Sequence, residues 1–145
     1  GGGGLAGGVA GMIRAESPET RIVGAQSERT NAMSLALASG EPTDIPDLPT
    51  LADGLAGLVD EEMLAQGQAA LDEIVTVSEE EIAHAIHALW THEGLRVEGA
   101  GAVGAAALLS GRVRPTAFPV VVIVSGSNID DARHQEILDG TRPRR

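Results

Sequence analysis

Five β-branched residues in a row, Val120-Val121-Val122-Ile123-Val124, narrow the fold of this 145-residue chain more than any other feature. A strand covered on one face alternates apolar with polar residues. An unbroken run is what a parallel strand buried on both faces requires. Arg21 to Gln26 and Ile74 to Val77 read as two further short strands, with helical patterns between them. Leu5, Val9, Met12 and Ile13 share one helical face, and Ser17-Pro18 ends that helix because the residue before Pro is pushed out of the α region. Further helices are predicted over Glu28 to Ala38, closed by Gly40, and over Asp60 to Leu71. Others follow from a capping box at Ser78-Glu79-Glu80-Glu81, over Gly99 to Ser110, and from Asp130. Glu41 to Gly57, with Pro42, Pro46 and Pro49, is a loop longer than a compact domain usually keeps without purpose. Strands alternating with helices predict an α/β, three-layer fold around a parallel sheet, with Val120 to Val124 as its central, fully buried strand.

Three short strands are few for such a sheet. Seven of the first eleven residues are Gly and no initiator Met is present. The expectation is therefore that residues 1–145 are part of a longer polypeptide, without a separable second domain among them.

Composition removes several classes of function. The formal net charge is −11, and Phe118 and Trp90 are the only aromatics of the Phe, Tyr and Trp kind. Neither a clustered basic patch nor a stacking platform for nucleic acid is available. Cysteine is absent, which excludes disulfides, thiolate nucleophiles and Cys-ligated zinc. All ten basic residues are Arg, so this chain has no lysine amine for Schiff-base chemistry. The longest strongly apolar stretch, Ala102 to Leu109, is far short of the ~20 residues of a membrane helix. No charged-then-apolar leader is evident, and a cytoplasmic protein is expected.

Two segments have the makings of a site. Gly1-Gly2-Gly3-Gly4 opens directly into the helix from Leu5, and free N–H groups at a helix N-terminus bind an anion such as phosphate. At the other end, Ser125-Gly126-Ser127-Asn128 follows the Val120 to Val124 run, and ligands bind at the carboxyl ends of strands in open α/β sheets. A hydroxyl there can hydrogen-bond a heteroaromatic nitrogen and leave it uncharged. A competing reading takes Gly2-x-Gly4-x-x-Gly7 as a dinucleotide fingerprint with Glu28, about 20 residues on, as the ribose carboxylate of a nicotinamide oxidoreductase. In a third, the glycines are a linker and the chain is a non-catalytic α/β interaction domain.

Four segments in this order and spacing carry a resemblance: GGGGLAG at the start, Ala52-Asp53-Gly54, VEGAGAVGAAALLSG from Val97 to Gly111, and VVVIVSGSNID from Val120 to Asp130. Together they resemble the C-terminal part of the large domain of fold-type II pyridoxal-phosphate enzymes, in the threonine dehydratase and serine racemase group. The resemblance covers nearly the whole chain. It implies that Gly1, Gly2, Gly3 and Gly4, with the Leu5 amide, cradle the phosphate of pyridoxal 5'-phosphate. It further implies that Ser125 pairs with the pyridine nitrogen, that Glu98 lies near the cofactor ring, and that Gly54 offers a carbonyl near the amino-acid substrate. The implied activity is an ammonia-lyase (dehydratase) reaction on threonine, serine or a related β-hydroxy amino acid, with an amino-acid racemase as the alternative. The lysine would lie in an N-terminal portion of the same enzyme, a homodimer is expected, and no C-terminal regulatory domain is expected.

Departures are also visible. Ser127 stands where relatives usually carry a second Gly. Some relatives hold a divalent cation through acidic residues where this chain has Gln26 and Ala32, so no metal site is expected. His84 and His87 fall opposite Ile82, Ile86 and Leu89 on a helical wheel, which reads as a solvated face and not a metal face.

Overall fold

The computed structural model describes residues 2–140. The elements in chain order are α1 (Gly4–Glu16), β1 (Val23–Ser27), α2 (Ala32–Ser39), a 3₁₀ turn at Asp53–Leu55, α3 (Glu61–Ala70), β2 (Glu73–Val77), α4 (Glu79–Glu93), α5 (Gly99–Leu109) and α6 (Asp131–Leu138). Gly1 lies outside the described residues.

Local chemistry sets most of these boundaries. The Asp60 side chain accepts a bond from the Met63 amide at 2.8 Å and starts α3. Ser78 and Glu81 form the predicted capping box of α4, with the Ser78 amide donating to Glu81 at 2.7 Å. The Asp130 carboxylate takes the Ala132 and Arg133 amides at the start of α6. Two boundaries move inward from the sequence expectation. The Ile22 amide donates to the Asp72 carboxylate at 2.7 Å, not to a strand carbonyl, so β1 starts at Val23. Ser27 to Thr30 form a turn, with the Arg29 amide on the Ser27 hydroxyl and the Thr30 amide on the Ser27 carbonyl. This local bonding competes with helix and delays α2 to Ala32.

β1 and β2 pair in parallel, from Val23 opposite Glu73 to Ser27 opposite Val77. Alternation along β2 sends Val75 and Val77 to one face and Ile74 to the other. The first face meets α5 and, behind it, α4, through Ile82, Ala85, Ile86, Val97, Ala102 and Ala106. The second meets α2 and α3 through Ala32, Met33, Ala36 and Leu64. Ile82 and Ile86 are each 0% exposed, a burial that contributes about 1.5–3 kcal/mol per side chain. His84 and His87 lie on the exposed side of α4, as the wheel predicts.

Residues 120–124 correct the sequence reading. They belong to no strand, and Val121 is 77% exposed. Val122 alone of the five reaches the core, over Gly104 of α5. The central, buried strand expected here is absent because the sheet of the described residues holds β1 and β2 only. A β-branched run is buried by strands beside it and layers on both faces. Here α5 supplies one layer, and no strand among the described residues pairs with either edge.

α6 docks on α4 through an unusual pair. His134 is 5% exposed and meets Trp90 edge to face, with ring centroids 5.3 Å apart. Its Nε2 has no hydrogen-bond partner among the described residues. Burial, reinforced by the Arg96 guanidinium and opposed by Asp131, holds His134 below the usual imidazole range. The contribution is therefore full above the unfolded imidazole value of about 6.5 and falls as pH drops below it. Urea midpoints read from Trp90 emission should decrease between about pH 7.5 and 5.5 in the native protein and change much less in His134→Leu. An equal decrease in both would remove His134 as the cause.

Candidate active site

At the start of α1, Gly3 has φ +89° and Gly4 is already helical. The left-handed turn at Gly3 is one that side chains rarely adopt. The first helical bond runs from the Gly7 amide to the Gly3 carbonyl at 2.7 Å. No side chain caps this end and no acidic residue stands in its first turn. The Gly4, Leu5 and Ala6 amides therefore have no acceptor within the helix and present the positive end of its dipole. The predicted glycine loop is thus Gly2 and Gly3 followed at once by helix.

A second cluster is built around Glu98, which precedes α5 without capping it. Its amide donates to the Gly126 carbonyl at 3.1 Å, and its carboxylate accepts from the Asn128 amide at 3.0 Å. The carboxylate also lies against the Gly126 Cα so closely that a Cβ there would overlap Oε1. Residues 125–128 are thereby laced to Glu98 from two sides. The Ser125 hydroxyl makes no hydrogen bond among the described residues and borders a cleft of ≈ 340 Å³ that includes Val97, Gly126 and Ser127. Asn128 borders a second cleft of ≈ 340 Å³, with Asp53, Glu98, Asp130 and Arg133.

The long loop touches both places. A Cβ on Gly54 would meet the Ala100 side chain at 3.0 Å and Glu98 Oε1 at 4.0 Å. Three residues later, a Cβ on Gly57 would come within 3.6 Å of the Gly2 nitrogen. Gly54 and Gly57 span at most about 11 Å even when extended. The structure therefore brings Gly2, Gly54 and Glu98 to one loop, with Ser125 next to the glycine that Glu98 touches. Sequence reading missed Thr50, Leu51 and Glu79, which hold the loop in place; the only signal was an extra Glu in the α4 capping box.

Residues 1–126 match the family model of the pyridoxal-phosphate dependent enzymes. The chain belongs to that family. It is 42% identical over 134 residues to an L-threonine ammonia-lyase of Geobacter sulfurreducens, covering 90% of this chain and 33% of the relative. The solved processed form of threonine deaminase isoform 2 from Solanum lycopersicum superposes with a TM-score of 0.83 at 30% identity, over 96% of this chain and 41% of that one. Maize serine racemase superposes with a TM-score of 0.84 at 26% identity, over 96% and 44%. The chain thus spans 32% to 43% of the length of curated relatives it matches.

The residues present fit the family's cofactor. Uncapped amides at the α1 N-terminus suit a phosphate, and the unengaged Ser125 hydroxyl suits a ring nitrogen. Glu28, the ribose carboxylate of the dinucleotide reading, is exposed just past the end of β1, and the glycine loop lies within the segment matched to the pyridoxal-phosphate family. Gln26 is 4% exposed and its Oε1 accepts the Ser34 amide at 2.9 Å, so the side chain serves α2 directly. No group of three His, Cys, Asp or Glu among the described residues is placed to hold a metal ion.

Gly126→Ala should displace Glu98 or the 125–128 turn, since the added methyl overlaps the carboxylate. The expected loss is about 1–3 kcal/mol of stability, read from a urea or thermal melt. An unchanged melt would mean that Glu98 has another resting place.

Proposed function

We propose that residues 1–145 are the C-terminal part of the large, cofactor-holding domain of an amino-acid ammonia-lyase. The enzyme removes the α-proton and β-hydroxyl of threonine, serine or a related β-hydroxy amino acid as water, and the released enamine takes up water again to give a 2-oxo acid and ammonia. The observation that carries this reading is the neutral Ser125 hydroxyl at the end of the 120–124 segment, beside a Glu98 carboxylate already committed to the Asn128 amide. A neutral partner leaves a pyridine nitrogen unprotonated, which suits elimination better than a fully delocalised carbanion. The relative at 42% identity named as an L-threonine ammonia-lyase supports it.

When bound, pyridoxal phosphate supplies the electron sink for the bonds broken at the substrate. The protein's own residues hold and orient. The Gly4 and Leu5 amides, with Gly2 and Gly3 before them, would hold the phosphate, and the Ser125 hydroxyl would donate to the ring nitrogen. Glu98 would lie near the cofactor ring, and the Gly54 carbonyl would be available to the substrate. The amine that moves the α-proton is a lysine of an N-terminal portion of the polypeptide, because this chain contains none. That portion also supplies the strands that cover residues 120–124, and the whole enzyme is a cytoplasmic homodimer. No helix of the described residues is long and apolar enough to cross a membrane.

Maize serine racemase superposes equally well, so amino-acid racemisation is the second reading. Measuring 2-oxo acid release against formation of the D-amino acid separates the two. Ser125→Ala in the full-length enzyme should weaken cofactor binding about 5- to 150-fold, or about 1–3 kcal/mol, because a buried acceptor loses its donor. Ser125→Asp should protonate the nitrogen and alter the product balance more than the affinity. Unchanged cofactor affinity in Ser125→Ala would overturn the assignment.

A further inference from the structure

Glu79 stands at the first position of α4 and does not cap it, since Ser78 and Glu81 complete that task. Its carboxylate reaches out of the helix instead. Oε1 accepts the Ser27 hydroxyl at 2.7 Å and the Thr50 hydroxyl at 2.8 Å, and Oε2 accepts the Leu51 amide at 2.6 Å. No Arg among the described residues forms an ion pair with it. Each hydroxyl in turn accepts a backbone amide two residues on: Arg29 to Ser27 at 3.1 Å, and Ala52 to Thr50 at 3.0 Å. Both hydroxyls must donate to Glu79, which leaves their lone pairs for those amides. One carboxylate thus sets the direction of two turns.

The turn at Thr50 matters for the site. Ala52 is 0% exposed, and the Leu51 carbonyl lies against the Gly99 Cα with no room for a Cβ. Gly99 follows Glu98, and Gly54, two residues after Ala52, packs on Ala100. We propose that Glu79 is a positioning residue for the substrate-side wall: through Thr50 and Leu51 it fixes the Ala52–Gly54 turn against Glu98 and Ala100. It touches neither cofactor nor substrate. The kinetic part of this inference rests on the ammonia-lyase reading; the structural part does not.

The test uses the full-length enzyme with Glu79→Ala and Glu79→Gln. Gln offers an oxygen to Leu51 but turns an N–H₂ group toward hydroxyls that must then reorient, so it keeps part of the hub. Hydrogen exchange should speed at the Leu51 and Ala52 amides in both variants, more in Ala, and stay unchanged at the β2 amides and at the start of α1. KM for the amino acid should rise about tenfold in Glu79→Ala and less in Glu79→Gln, with a smaller change in kcat and cofactor affinity within about twofold. Unchanged exchange at Leu51 and Ala52 would overturn the inference. So would parallel losses of kcat and Tm at constant KM, which mark a merely structural residue. If Glu79→Ala does not fold, the exchange and KM arms are read in Glu79→Gln. An unsubstituted enzyme that turns over no hydroxy amino acid sinks the lyase reading, and the exchange arm then decides on Glu79 alone.

Discussion

Much of this structure depends on the space left by one missing methyl group. The Leu51 carbonyl rests on the Gly99 Cα at the point where α5 begins. Any side chain at position 99 would lift the loop away from the helix and expose Leu51 and Ala52, which are 5% and 0% exposed and belong to the main core cluster. Because the loop is seated there, Gly54 lies beside Glu98 and Gly57 beside Gly2. A proline-rich connection that could have wandered is held against the start of α5 and the residue before Gly3.

α5 extends the same logic along its length. Its core-facing residues are Ala102, Val103, Ala105, Ala106 and Ala107, with Gly101 and Gly104 turned to the 120–126 segment. A Cβ on Gly101 would stand 2.9 Å from both the nitrogen and the oxygen of Gly126. Small side chains let a sheet, a helix and the 120–126 segment approach more closely than Leu or Ile would allow. The trade is shallow burial per residue, offset by the large apolar residues of α4.

Elements with their signals in adjacent residues were legible in the sequence. Asp60, Ser78 with Glu81, and Asp130 each bond within their own first turn, and each helix begins where the cap says. The 120–124 run was misread because strand pairing is a property of neighbours, and five β-branched residues cannot supply their own partner. Glu79 was overlooked for a related reason: its partners Thr50 and Ser27 are 29 and 52 residues away. The family motifs imply roles for both Gly54 and Glu98, and in the structure a Cβ added to Gly54 would lie 4.0 Å from Glu98 Oε1. What the motifs did not contain was the scaffolding that holds them.

α1 has a thermodynamic consequence of its own. Gly4, Gly8 and Gly11 lie on its exposed side, where an added Cβ would meet nothing. Gly in a helix interior costs up to about 1 kcal/mol relative to Ala, and Ala10 is the one fully buried residue of the helix. Such a helix has little intrinsic stability to spare. An anion received by its first amides adds favourable interaction only while those amides are aligned by helical backbone. An anion held by these amides would therefore couple binding to helix order, each favouring the other.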